Sequence, residues 1–184
     1  MTIRDIAGFC PEEAIWKMMS DISTFLLQEQ TGCYLTPDAV VVDGYSFLVD
    51  MGQCAISEFL APEQNDSNKP ESYQMVWALG AVAYYMATGH VVFGGHGGKY
   101  QKEHPAVALP VLPKDFQSLT PVLQKCLYYN PNERTSLKEL EQLSIDGLNL
   151  CEMQRRKQSA SLEKEQVVEY KNIDERWPEK MIEK

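Results

Sequence analysis

The sequence has no C-x-x-C pair, no cluster of Lys and Arg in its first 150 residues, and no apolar signal core behind its first methionine. Each absence removes a class of function. The five cysteines, Cys10, Cys33, Cys54, Cys126 and Cys151, are odd in number and widely spaced, which argues for unpaired thiols in a reducing compartment. Most sit among apolar neighbours and read as small buried hydrophobes, not as redox or metal groups. The opening "MTIRDIAGFCPEEA" is acidic and lacks the apolar run of an export signal, so the expected compartment is the cytoplasm. Histidine is scarce as well. His90, His96 and His104 are spaced six and eight apart, which matches no helical ligand pair, and no zinc site is expected.

Charge of one sign is also in short supply. The net charge is −9, and residues 1–151 carry nine basic against eighteen acidic side chains, while residues 152–184 are balanced at eight of each. Nucleic acid needs Lys and Arg on its phosphates, so such a partner is excluded, and a basic protein partner fits better. One stretch of 18 residues, "VWALGAVAYYMATGHVVF" at 76–93, holds no Asp, Glu, Lys or Arg. Gly89 and His90 divide it into a short helix and a tail, so a buried core helix is expected and no membrane span.

What remains is an ordinary globular composition, 44% hydrophobic and 23% charged over 184 residues, enough for one core. Pro11 followed by two Glu opens a helix over 11–30, with Ile15, Met18, Met19, Ile22, Phe25 and Leu26 at i+3 and i+4 spacing. "AVVVDGYSFLVD" reads as two short strands joined at Asp43-Gly44. A loop over 50–63 ends in "APE", and the turn-forming "NDSNKPE" precedes the apolar helix at 75–88. The glycine- and proline-rich segment 89–113 is expected to be irregular, with "GGHGG" at 94–98 a flexible connection. Two shorter helices are expected at 119–129 and 135–144. The last residues are charged, with sparse apolar points such as Leu162 and Trp177, and suggest a helical or partly disordered extension. The fold class is thus mainly α with a small β-hairpin, divided into a domain at 1–147 and an extension at 148–184.

Taken in order, these pieces resemble the C-terminal lobe of a protein kinase. "LTPDAVVVD" is similar to L-K-P-E-N-I-L-L-D, "DMG" stands where D-F-G belongs, and "FLAPEQ" where A-P-E belongs. "MVWALGAVAYYMATG", with Trp77 and Gly80, resembles the family's D-V-W-S-L-G helix, and "CLYYNPNERTSLKELEQL" resembles the family's segment ending the lobe. The likeness covers residues 11–145. It implies a helical lobe in which Glu63 and Arg134 form an ion pair, and in which Asp50 and Gly52 occupy the magnesium-loop position.

The departures from that pattern bear on activity. The resemblance puts Tyr34 at the catalytic base and Ala39 at the metal-binding asparagine, and neither supplies the carboxylate or oxygen ligand that phosphoryl transfer requires. Only ten residues precede the first helix, so the family's N-terminal β-rich lobe is not expected, and with it the glycine-rich loop and its lysine. No cofactor or bound metal is expected, and no catalytic residue. Asp50 becomes a relic of a metal site whose carboxylate accepts backbone N–H bonds in the turn that Gly52 permits. Between Asp50 and Glu63, Ser57 is the sole hydroxyl, which argues against switching by phosphorylation.

The expected function is therefore a catalytically inactive, pseudokinase-like C-lobe that recognises or scaffolds another protein, similar in architecture to the kinase non-catalytic C-lobe domain. Its candidate partner face is Cys33, Tyr34, Ala39 and Met51, which is more apolar than the family's catalytic set and calls for a cover. The first ten residues, the extension through Trp177, a second copy of the chain or another protein are the candidates. The alternative is half of a split assembly whose nucleotide-binding lobe comes from a separate chain, with Asp50 retained for metal.

Overall fold

The structure, a computed structural model, describes residues 1–29, 32–52, 55–64 and 69–174, with side chains as far as residue 162. Cys54, Trp177 and residues 65–68 of the expected turn lie outside the described residues. The chain divides into two units, Met1–Leu148 and Asn149–Lys184. The protein is mainly helical with one small antiparallel sheet.

In the first unit, α1 (Ile3–Ile6) leads into α2 (Glu12–Gln28), whose apolar spacing buries Ile15, Met18, Met19, Ile22 and Leu26. Residues at i, i+3 and i+4 share one helix face, and this face packs against the hairpin and against α3. Asp21 on α2 accepts a hydrogen bond from the Phe47 backbone N–H at 3.0 Å and pairs with Lys17 at 2.5 Å, so the helix caps the hairpin's free edge.

Strands β1 (Val40–Asp43) and β2 (Ser46–Val49) pair in register from Val40↔Val49 to Asp43↔Ser46. The two connecting residues are therefore Gly44 and Tyr45, one position later than the Asp43-Gly44 read from sequence. Gly44 has φ +61°, the left-handed first position that such a two-residue turn reserves for glycine, while Asp43 completes the ladder. Sequence offered no sign of a further partner for β1. Thr2 makes an antiparallel bridge to Val41, and the Met1 carbonyl accepts from Val42 N–H at 2.8 Å.

Helix α3 (Ser72–Thr88) is the centre of the unit. Its residues from Gln74 to Ala83 are all buried, as a helix that is apolar all round must be. Among the described residues no helix is long and apolar enough to cross a membrane. Helix α5 (Thr120–Cys126) crosses α3 where Gly80 leaves room: a Cβ at Gly80 would lie 2.6 Å from Cys126 Cβ. Glu12, at the start of α2, accepts from Ser118 Oγ at 2.7 Å and from Leu119 N–H at 3.1 Å, tying α2 to the entry of α5.

The segment 89–113 is more ordered than its composition suggests. It contains α4 (Gly97–Glu103), which packs on the 3-10 turn at Ser57–Phe59. "GGHGG" is not a slack connection. Gly97, at φ +55°, and Gly98 are buried, and added Cβ atoms would lie 1.8 Å from the Glu58 carbonyl oxygen and 2.0 Å from that of Leu60. Glycine is there because two backbones touch.

The helix expected at 135–144 is the beginning of α6 (Leu137–Asp174). Within the first unit it buries Leu137, Leu140 and Ser144, and Glu141 accepts from Thr24 Oγ1 at 2.7 Å. The described part of the second unit is the remainder of α6, in which Glu152 pairs with Arg156 at 2.5 Å and Met153 and Leu162 are exposed. No proline interrupts the chain from Leu137 to Asp174, and its Glu, Lys, Gln and Arg residues are good helix formers.

Candidate functional site

The loop after β2 begins at Asp50, whose N–H donates to the Ala39 carbonyl at 2.8 Å. One carboxylate oxygen of Asp50 accepts the Gly52 N–H at 2.9 Å, an Asx-type turn closed by the side chain. Gly52 does not have a positive φ. A Cβ there would stand 3.2 Å from that same carboxylate oxygen, a tight contact with a side-chain atom. Among the described residues there is no group of three or more His, Cys, Asp or Glu side chains able to hold a metal ion.

The residues expected to form a partner face do not share one surface. Ala39 and Cys33 are buried, Tyr34 is half-buried, and of the four only Met51, at 46% exposure, is open to solvent. Ala39 sits inside a turn, where its N–H donates to the Thr36 carbonyl at 3.0 Å, so its methyl points into packed chain. The start of the chain lies beside it. Arg4 N–H donates to the Pro37 carbonyl at 3.4 Å, and the Arg4 guanidinium grips Asp38 with two 2.6 Å bonds. That hydrogen bonding holds the Asp38 carboxyl below its ordinary range. Cys33 and Ala39 thus present no surface to a partner, because the chain itself covers them.

Burial also decides the chemistry of the thiols. The Cys33 thiol is pushed up to about 11 and the Cys126 thiol to about 12, in both cases by burial first. Thiolate is the reacting species, so both are inert near neutrality. In the folded protein, iodoacetamide is expected to label half-buried Cys151 about tenfold or more faster than Cys126, followed by mass spectrometry of the peptides. Equal rates for the two would contradict this burial.

Every N–H donor of the Arg134 side chain has a partner. That side chain is 0% exposed. Two parallel bonds join it to Glu63, Nη1 to Oε1 at 2.7 Å and Nη2 to Oε2 at 2.8 Å, across 71 residues of sequence. Nε donates to the Tyr128 carbonyl at 2.7 Å, Nη1 to that of Tyr73 at 3.0 Å and Nη2 to that of Tyr129 at 3.0 Å. All five N–H donors of the guanidinium are used, and only arginine has that number in that planar arrangement. The pair ties the loop after the 3-10 turn, the start of α3 and the end of α5 together.

A second buried network lies beneath it. Trp77 Nε1 donates to Gln101 Oε1 at 2.8 Å, and Gln101 Nε2 donates to the Leu127 carbonyl at 2.7 Å. Gln101 belongs to α4, in the segment read as irregular, so sequence reasoning missed it. A polar residue at i+4 from buried Gly97 is the one trace that a helical reading of 97–103 would have exposed.

Neither the protein-family models nor the curated proteins searched give a match to this chain.

Proposed function

We propose that the Met1–Leu148 unit is a kinase-like C-lobe without phosphoryl-transfer activity, serving as a protein-interaction module. The observation that carries it is Ala39, the position where the resembled family has a magnesium-binding asparagine. Its side chain is a buried methyl with no oxygen to offer a metal. Tyr34 stands where that family has its catalytic base, and the Asp50 carboxylate is engaged by the backbone of its own turn. The kinase-like part is supported by the Glu63–Arg134 pair, by buried Trp77, and by the close approach of α5 at Gly80.

Charge supports the kind of partner. With eighteen acidic against nine basic side chains in residues 1–151, a basic protein segment is favoured and nucleic acid is not. Two measurements test the two halves. Incubated with labelled ATP, magnesium and a basic acceptor protein, the chain is expected to transfer no label above a protein-free control. A Lys/Arg-rich peptide is expected to bind, more weakly as salt rises from about 50 to 300 mM. Label transfer would overturn the inactive half, and failure of the peptide to bind at low salt would overturn the other.

A further inference from the structure

The net charge of −9 is not spread along the chain. Residues 1–68 hold two basic side chains against eleven acidic ones, whereas residues 69–184 hold fifteen of each, so the whole excess falls in the part that carries α1, α2 and the hairpin. Both of those bases are already engaged, Arg4 on Asp38 and Lys17 on Asp21. Helices α1 and α2 pack directly on the hairpin, which therefore stands in the acidic half of the unit.

One face of that hairpin is apolar and open to solvent. Residues directly opposite each other in a ladder share a face, which sets Leu48 beside Val41, and the bridge from Thr2 adds a third residue to the same row. Leu48 is 52% exposed, whereas its neighbour Phe47, whose side chain points to the other face, is 7% exposed and belongs to the core. Tyr45 in the turn is 95% exposed, and Met51, two residues past β2, is exposed as well. Acids stand at both ends of this face. Asp43, two residues from Val41 on the same strand, has a carboxylate with no partner among the described residues, and Asp50 follows β2 at the opposite end of the ladder.

Charge and geometry together select the occupant. Met1 and Thr2 lie along one edge of the hairpin, and Asp21 takes the Phe47 N–H on the other, so the hairpin offers its face and not a place for an added strand. A second copy of the chain would set acid against acid there, and nucleic acid or an anionic membrane would be repelled in the same way. Resting on the reading of this unit as a protein-interaction module, we infer that the outer face of the hairpin, around Tyr45 and Leu48, docks a basic protein segment that carries apolar side chains between its lysines or arginines. The apolar side chains cover Leu48 and Tyr45, and the cations meet Asp43 and Asp50.

The experiment titrates the full chain at about 50 mM salt with three short peptides, one alternating Lys and Leu, one alternating Lys and Ser and one alternating Glu and Leu, followed by two-dimensional amide nuclear magnetic resonance. The Lys–Leu peptide is expected to bind saturably with its largest shifts in residues 41–51, about tenfold or more tighter than the Lys–Ser peptide, and the Glu–Leu peptide not at all. Leu48→Ser combined with Tyr45→Ser should weaken the Lys–Leu peptide about tenfold or more, and Asp43→Lys several-fold. Val111→Ser, which removes an apolar side chain 72% exposed elsewhere in the unit, should leave its affinity unchanged. All these positions are exposed, so melting temperatures within about 2 °C of the parent report an intact fold in each variant. Equal affinity for the Lys–Ser peptide would overturn the apolar contribution. Saturable binding centred on other residues, or full affinity in the double variant, would overturn the surface while leaving the unit an interaction module. Failure of both lysine peptides to bind would overturn the two readings together. A dimer by light scattering that Leu48→Ser dissociates would make a second copy the occupant and overturn the basic segment.

Discussion

Replacing Arg134 by alanine is expected to lower the stability of the protein by about 3–5 kcal/mol, the usual cost of stranding one partner of a buried ion pair. For a chain of this size that is roughly 10 °C in melting temperature. The loss is larger than one ion pair would suggest, because three backbone carbonyls lose their donor together with the Glu63 carboxylate. Glu63 retains 26% exposure, so water can reach its carboxylate, and the effect belongs at the lower end of that range. Arg134→Lys should recover little of it, since an ammonium has three donors and cannot serve two carboxylate oxygens and three carbonyls at once. Thermal and urea unfolding of the three proteins measures this. A melting temperature for Arg134→Ala within about 2 °C of the parent would contradict the arrangement.

Gly97→Ala is expected to cost about 2–5 kcal/mol, combining the left-handed backbone penalty with a steric clash against an unyielding group. The added methyl would stand 1.8 Å from the Glu58 carbonyl oxygen, and backbone cannot swing away as a side chain can. Helix α4 would have to lift off the 3-10 turn, carrying Gln101 away from Trp77 and Leu127. Gly94→Ala is the control: no atom lies within 4 Å of a Cβ there, so only its φ of +67° is penalised. Urea unfolding should place Gly97→Ala well below Gly94→Ala. Equal stability of the two would show that the close approach of α4 to the turn carries no weight.

The elements that sequence displayed most plainly are those governed by local pattern. The i+3 and i+4 apolar spacing of α2, the unbroken apolar run of α3 and the short hairpin all follow from rules that need only neighbouring residues. Misreadings arose where distant residues decide. Gly97 and Gly98 look like linker glycines until the Glu58 and Leu60 carbonyls are set against them. Likewise the helix expected at 135–144 runs on through Gly147, where a Cβ would lie 2.4 Å from the Trp16 ring. The turn slipped by one residue because Asp-Gly is a local signal, while the pairing of Asp43 with Ser46 is settled by the ladder. At the candidate site, Tyr34 and Ala39 were visible as substitutions through the kinase resemblance alone. The burial of Ala39 was not, because the first residues of the chain pack on its neighbours, Thr2 on Val41 and Arg4 on Asp38.

The proposed absence of a working nucleotide site from the Met1–Leu148 unit is tested by the melting temperature with and without millimolar Mg-ATP. A ligand at a hundred times its dissociation constant adds about 2.7 kcal/mol, here roughly 5–10 °C. With a buried methyl at Ala39 and Asp50 held by its own turn, no shift is expected. A rise of that size, lost on Asp50→Asn, would show that Asp50 still holds a metal–nucleotide complex and would contradict the claim.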